Sequence, residues 1–242
     1  MRAPDQAIVL AAGLGTRLRP VTEELPKPLV AVAGETLIDR ILDRLVAAGI
    51  TRAVVNTHHM AERLEAHLAA RPAPRIEISR EDELLETGGG VAKAMAKLKP
   101  APFYAINGDV LWLDGTRSAL KRLAEAWREG DMDALLLVHP VARAGDYRGT
   151  GDFLLDQLGR MRRRKEKEIA PFVFTGIQLL HPRLFEDAPQ GPFSLNRLYD
   201  RAEAAGRLHG IVHGGEWFHV GTPENLAWAE AELAGGNGPG KP

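Results

Sequence analysis

"LAAGLGTRLRPVTEELPKPL", Leu10 to Leu29, is the stretch on which the fold turns. With the residues before it, "QAIVLAAG" reads as a buried strand running into a glycine-bearing loop. Gly13 and Gly15 let the chain turn tightly and let backbone N–H groups face a phosphate. Arg17 and Arg19 offer forked guanidinium groups, and Lys27 a compact positive charge. Pro26 and Pro28 restrict the backbone on both sides of Lys27. That restraint suits a cation that must meet one particular oxygen. The loop lacks the closing lysine and Ser/Thr of a P-loop, and Arg17 and Leu18 interrupt the dinucleotide fingerprint. On the glycines alone, an ordinary turn and a phosphate cradle both stay open.

Working outward, "TLIDRILDRLVAAGI" has helical spacing, with Thr36 as its cap, Asp39 at the capping-box position and Gly49 as its stop. "RAVVNT" and "RIEIS" read as strands, "HMAERLEAHLAA" as a helix between them. "PFYAINGD" and "DALLLVHP" are further strands, with the helix "SALKRLAEAWREG" between them. "GGGVAKAMAKLKP" reads as glycines that become a helix. Strands alternating with helices predict a mostly parallel sheet covered on both faces. From Ala144 to Pro171 the chain turns polar and basic around "RMRRRKEKE", which reads as an excursion from the sheet, a hairpin or a mobile flap. "FVFTGIQLL" returns as a strand and "SLNRLYDRAEAAG" as a helix. "RLHGIVHGGEWFHV" reads as two short strands around a Gly-Gly turn, and Pro223 opens a closing helix. We expect one domain over residues 1–234 and a disordered tail over 235–242.

The 242 residues are 45% hydrophobic, which is ample for a core. Lys and Arg number 31 against 32 for Asp and Glu, a net charge of -1, so no nucleic-acid or acidic-membrane partner is required. The absence of cysteine excludes disulfides, iron–sulfur clusters and thiol chemistry. No run approaches the ~20 apolar residues of a membrane span, and no signal-peptide layout opens the chain. The expectation is a cytoplasmic protein, a monomer or a small homo-oligomer.

"LAAGLGTRLRPVTEELPKPLVAVAG" resembles the signature of the sugar-phosphate nucleotidyltransferases, and similarity to that family runs from Gln6 to about Ala234. The resemblance implies an α/β fold: a Rossmann-like three-layer nucleotidyltransferase core with a mostly parallel mixed sheet. It implies an enzyme that joins a sugar 1-phosphate to a nucleoside triphosphate and releases pyrophosphate. Leu10, Ala11, Ala12, Gly13, Gly15 and Thr16 then take the family's nucleotide-contacting positions. Arg17 matches the arginine that holds the triphosphate, and Lys27 the lysine near the α-phosphate. Glu86, Thr87 and Gly88 in "ETGGG" match a Gly-rich segment that contacts nucleotide. Asp109 in "INGD" matches a metal ligand, with Mg²⁺ the expected cofactor. Asn107, Gly176, Asn196 and Gly221 are the sugar-side candidates. "WFHVGTPENL" resembles a late motif in which the family commonly carries a second metal-ligating aspartate. Here that position is His219, a poorer magnesium ligand, open to metal, phosphate or packing roles.

The compact form resembles both N-acetylmuramate-1-phosphate uridylyltransferases of peptidoglycan recycling and short mannose-1-phosphate guanylyltransferases. We favour the first, with UTP as nucleotide donor. A nucleotide-sugar sensor without turnover, motivated by His219, stands as a third reading. His58 and His59 in "NTHHMAE" invite a zinc reading, but no cysteine accompanies them, and structural or substrate-contact roles are preferred. Arg164, Lys165 and Lys167 belong either to a solvated edge or to a phosphate-gathering flap.

Overall fold

In a computed structural model that describes residues 4–145 and 147–235, parallel strands carry the centre of the molecule. The strands are β1 (Gln6–Leu10), β2 (Ala31–Val32), β3 (Glu35–Thr36), β4 (Arg52–Thr57), β5 (Arg75–Arg80), β6 (Phe103–Asn107) and β7 (Leu111–Leu113), then β8 (Ala134–Pro140), β9 (Phe153–Leu155), β10 (Met161–Arg163), β11 (Phe172–Leu180), β12 (Leu208–Val212) and β13 (Glu216–Phe218). The helices are α1 (Val21–Glu24), α2 (Leu37–Ala47), α3 (Ala61–Ala69), α4 (Glu86–Met95), α5 (Ala119–Ala126), α6 (Asn196–Ala204) and α7 (Pro223–Leu233). The central sheet has nine strands and is mixed but mostly parallel. β5, β4, β1 and β6 lie side by side and parallel. β11 runs against both β6 and β8, and β12 lies parallel to β8.

Period-two alternation assigns each strand's side chains to one of two cores. Val9, Val55 and Ile106 face the core that α2, α3 and α5 cover through Ile38, Ile41, Leu64 and Leu120. Ile8, Val54 and Ala105 face the opposite core, which α4 and α6 cover through Val91, Leu198 and Tyr199. A third cluster joins Leu18, Val30, Val32, Leu111, Phe218 and Val220, and fastens the loop after β1 to the late strand β13. Thr36 caps α2 as expected, accepting from the Asp39 N–H at 3.1 Å. The Asp39 carboxylate does not reach back to the backbone. It accepts from the Thr36 hydroxyl and from Arg71, just beyond the end of α3, both at 2.6 Å.

Three expectations change. The glycines of "ETGGG" do not merely lead into a helix: α4 begins at Glu86, so they are helical. Gly88 and Gly89 donate to the Phe193 carbonyl at 2.7 and 3.2 Å, a tertiary contact that outweighs low helix propensity. Of the two readings of the 144–171 segment the hairpin holds, but it joins the sheet rather than leaving it. β9 and β10 form a hairpin whose Phe153 pairs with Phe172 on the half of β11 that β6 leaves uncovered. The Gly210 N–H then donates to the Gly159 carbonyl at 2.9 Å, bringing the hairpin round to β12. Finally, β12 and β13 do not pair with each other. β12 extends the sheet beside β8, whereas β13 pairs antiparallel with β7. The expected disordered tail lies, over residues 236–242, outside the described residues. Among the described residues no helix is long and apolar enough to cross a membrane.

His139 at the end of β8 is fully buried, 5.9 Å from the His213 ring and 6.3 Å from Trp217. Burial pushes both imidazoles below the usual histidine range. A histidine that resists protonation only when folded stabilises the fold above its unfolded pKa of about 6.5 and loses that contribution as pH falls below it. Each ring steepens acid destabilisation by at most about 1.4 kcal/mol per pH unit. Thermal unfolding from pH 8 to pH 5 is expected to show this onset, with a shallower slope in His139→Leu. An identical slope in that variant would contradict it.

Candidate active site

Three strand ends meet in one place. Leu10 is the register partner of Asn56 on one side and of Asn107 on the other, so the carboxyl ends of β1, β4 and β6 line up. Open α/β sheets bind ligands there, because loops diverge and backbone groups are freed. A cavity of about 460 Å³ opens above these ends, lined by Leu10, Ala11, Ala12, Gly13, Gly15, Thr16, Arg17, Lys27, Asn107, Asp109, Glu86, Thr87 and Gly221. The amino terminus of α4 borders it at Glu86 and Thr87. A neighbouring cavity of about 260 Å³ shares Arg17, Lys27, Asn107 and Asp109 and adds Gly176 and His219.

The loop is held in shape by its own atoms. Gly15 sits at φ 64° and starts a short 3₁₀ turn over Thr16–Leu18. Its carbonyl accepts from the Leu18 N–H at 2.9 Å and the Thr22 hydroxyl at 2.8 Å. A Cβ at this position would lie 3.0 Å from Thr22 Cγ2 and 3.2 Å from Lys27 Cβ. Lys27 opens a second 3₁₀ turn, Lys27–Leu29, after the extended Pro26 and with Pro28 inside it. That turn aims the ammonium across the cavity, where Nζ donates to Asp109 Oδ2 at 2.6 Å. Lys27 is only 8% exposed, so its position is fixed by packing as well as by charge. Arg17 is exposed, and among the described residues it makes no ion pair or hydrogen bond with the protein. Its guanidinium faces both cavities as an uncommitted cation.

Asn196 lines neither cavity: it is exposed at the start of α6, and its carbonyl faces Arg163. Gly88 is buried within α4 behind the wall. His219 lies with its ring 5.8 Å from Tyr147, edge-on, and 5.8 Å from Trp217. Among the described residues no group of three or more His, Cys, Asp and Glu is arranged to hold a metal ion. His58 instead bonds through Nδ1 to the Glu81 carbonyl at 3.0 Å. The basic run lies at the sheet edge and lines neither cavity, although the Arg164 N–H donates to the carbonyl of Asp152, a wall residue of the smaller one, at 2.9 Å. Arg162 grips Glu168 through bonds of 2.8 and 2.6 Å and holds that carboxyl down at about 2. Arg164 turns back onto the carbonyls of Lys165, Glu166 and Glu168.

Asn56, Leu84 and Ser194 in the larger cavity, and Tyr147, Asp152 and Trp217 in the smaller, were not among the expected residues. Asn56 had a readable signal, a polar residue near the end of the apolar run "AVVN", as Asn107 is in "YAIN". Trp217 comes from the short strand β13, and the others come from loops or from the approach to β9, where no periodicity indicates direction.

A nucleotidyl transferase family model matches residues 6–235. The chain is 45% identical over 238 residues to an N-acetylmuramate alpha-1-phosphate uridylyltransferase of Caulobacter vibrioides, covering 96% of this chain and 98% of that one. It is 31% identical over 242 residues to a mannose-1-phosphate guanylyltransferase of Mycobacterium tuberculosis, covering 96% of this chain and 66% of that one. Among solved structures, a UDP-glucose pyrophosphorylase complexed with UDP-glucose superposes with a TM-score of 0.81 at 17% identity, over 96% of this chain and 99% of that one, a likeness of fold.

Gly15→Ala and Gly34→Ala separate backbone strain from the shape of the site. Both positions have positive φ, so each substitution is expected to cost about 1 kcal/mol or more in stability. Only the first pushes a methyl group against Lys27, since nothing lies within 4 Å of a Cβ at Gly34. Nucleoside triphosphate affinity should therefore fall in Gly15→Ala and hold in Gly34→Ala; equal affinity in the two variants would contradict the link to Lys27.

Proposed function

The chain belongs to the nucleotidyl transferase family, and we propose that it joins N-acetylmuramate 1-phosphate to UTP, giving UDP-N-acetylmuramate and pyrophosphate. It is a sugar-1-phosphate nucleotidyltransferase, and the span matched by the family is read as one domain. The observation that carries the chemistry is the Lys27–Asp109 pair, which borders both cavities at once. A reaction that joins two phosphates needs one point shared by both reactants. The preference for N-acetylmuramate and UTP over mannose and GTP rests on 45% against 31% identity, and on near-complete overlap with the uridylyltransferase.

In this reading the larger cavity takes the nucleotide and the smaller one the sugar phosphate. A phosphate oxygen of the sugar 1-phosphate attacks the α-phosphorus of UTP, the bond to the β-phosphate oxygen breaks, and pyrophosphate leaves. The attacking group is already an anion, so the protein's task is to align two anions and offset their repulsion. Lys27, restrained by its prolines, meets the charge on the α-phosphate. Arg17 holds the triphosphate through its fork. The loop Ala11–Thr16 keeps side chains clear of the phosphates.

Enzymes of this family generally use a divalent metal. Asp109 suits one: its side chain is 38% exposed and borders both cavities, and only Oδ2 is engaged by Lys27. A hard cation such as Mg²⁺, held by this carboxylate and by substrate phosphates, would supply charge neutralisation. His219 is read as a neighbour of the sugar phosphate rather than an obligatory ligand.

Pyrophosphate release, measured with UTP, GTP and dTTP against N-acetylmuramate 1-phosphate and mannose 1-phosphate, tests the reading. The expected result is turnover with UTP and the muramate. Turnover confined to GTP and mannose 1-phosphate would replace it, and tight binding without turnover would favour the sensor. Lys27→Ala is expected to lower kcat/KM by on the order of 100-fold, the loss of one transition-state donor worth ~3 kcal/mol. Asp109→Asn should remove the dependence of rate on Mg²⁺ concentration along with most activity. His219→Asn should retain part of that metal-dependent rate; complete loss there, with the fold intact, would restore His219 as a ligand.

A further inference from the structure

Behind the nucleotide cavity runs a buried relay that the catalytic reading does not use. The Ala11 N–H donates to Asn56 Oδ1 at 2.6 Å. Asn56 Nδ2 donates to Glu81 Oε1 at 2.6 Å. The other carboxylate oxygen, Oε2, accepts from the Leu85 N–H at 3.0 Å. Asn56 is 2% exposed and Glu81 3% exposed, so the two bonds of the Asn56 amide are shielded from water, and the bond to Leu85 is partly so. Gly90 leaves the room: a Cβ there would lie 2.7 Å from Asn56 Nδ2 and 2.8 Å from Glu81 Oε1.

The geometry points to Glu81 as a positioning residue that, through the orientation of the Asn56 amide, sets the entry of the glycine loop and its spacing from α4. The reasoning is one of donor and acceptor direction. A carboxylate only accepts, so it draws the NH2 end of the Asn56 amide. The carbonyl end is then left for the Ala11 N–H. Leu10, the residue before, is fixed from the other side, its carbonyl accepting from the Gly108 N–H at 2.7 Å. Both backbone groups where strand becomes loop are thereby committed. The same carboxylate holds Leu85, next to the cavity residues Glu86 and Thr87. One buried anion thus ties together the two walls between which, on the functional reading above, the nucleotide lies.

The polarity of the relay can be reversed. Glu81→Gln alone keeps the acceptor for Leu85 only by presenting an NH2 group to Asn56, so two donors face each other, or Asn56 turns over and meets the Ala11 N–H with its own donor. Asn56→Asp alone sets two carboxylates against each other. Together the substitutions restore every bond: the carboxylate at 56 accepts from the Ala11 N–H and from the amide at 81, and that amide's oxygen accepts from the Leu85 N–H.

The test measures UTP dissociation constants, together with KM and kcat for UTP, in the full chain and the three variants. Each single substitution is expected to raise the dissociation constant roughly tenfold, the effect of one buried group left without a partner. The double variant is expected to recover to within about threefold, and KM should move more than kcat. Singles that bind UTP like the wild type, or a folded double variant no better than the singles, would overturn the proposal. Hydrogen exchange at the Ala11 amide reads the relay with no ligand present. It should be slow in the wild type and the double variant and faster in Glu81→Gln; equal rates would overturn the proposal on their own. A wild type that binds no UTP would sink the nucleotide reading instead and leave the exchange result to decide the relay. Should a single variant fail to fold, the double variant decides by binding and exchange.

Discussion

The Lys27–Asp109 ion pair is the contact around which the rest of the structure is arranged. Holding a lysine with 8% exposure against a carboxylate 2.6 Å away carries a desolvation cost that the pair's attraction only partly offsets. Such a pair is weak evidence for stability and stronger evidence for a site. Its two halves arrive by different routes. Lys27 comes from a loop stiffened by two prolines and fastened by the small cluster that joins Leu18 to Phe218. Asp109 comes from the end of β6, placed by parallel pairing with β1. Neither route tolerates much movement, so the charges are fixed before any ligand arrives.

The parallel strands explain why so much else converges there. Their equal register brings Leu10, Asn56 and Asn107 to one line, and every loop that leaves it inherits that starting point. α4 closes the line on one side, tied to it by the buried carboxylate of Glu81. The β9–β10 hairpin closes the other, contributing Asp152 to the wall of the smaller cavity. The larger cavity is therefore built on the sheet itself, whereas the smaller one is built partly on loops.

How much of this was legible follows from the same division. The early strands and helices carried their periods openly: Ile38, Ile41, Leu42 and Leu45 are buried on one face of α2 as their spacing requires. The glycine loop, Lys27 and Asp109 were visible because glycine, proline and an acid at a strand end each leave a local mark. The helix α4 is legible in "VAKAMA", but its start is not, because three consecutive glycines argue against a helix and only the distant Phe193 carbonyl reverses that argument. A hairpin over 153–163 is legible as one of two readings, but not its place in the sheet, because nothing local shows that β11 outruns β6 and leaves an edge to cover. Asn56 was passed over for the two histidines beside it, although the paired strand ends make it the residue that matters.

The central claim is that Lys27 and Asp109 act as one unit in the reaction. A double-mutant cycle on kcat/KM with Lys27→Met and Asp109→Asn tests it most directly, since coupled groups give non-additive losses. The account predicts that the double variant loses little more than the worse single variant, a coupling of at least about 1.5 kcal/mol, within the range for residues in direct contact. Losses that simply add would contradict it and would make the pair a coincidence of two independent groups.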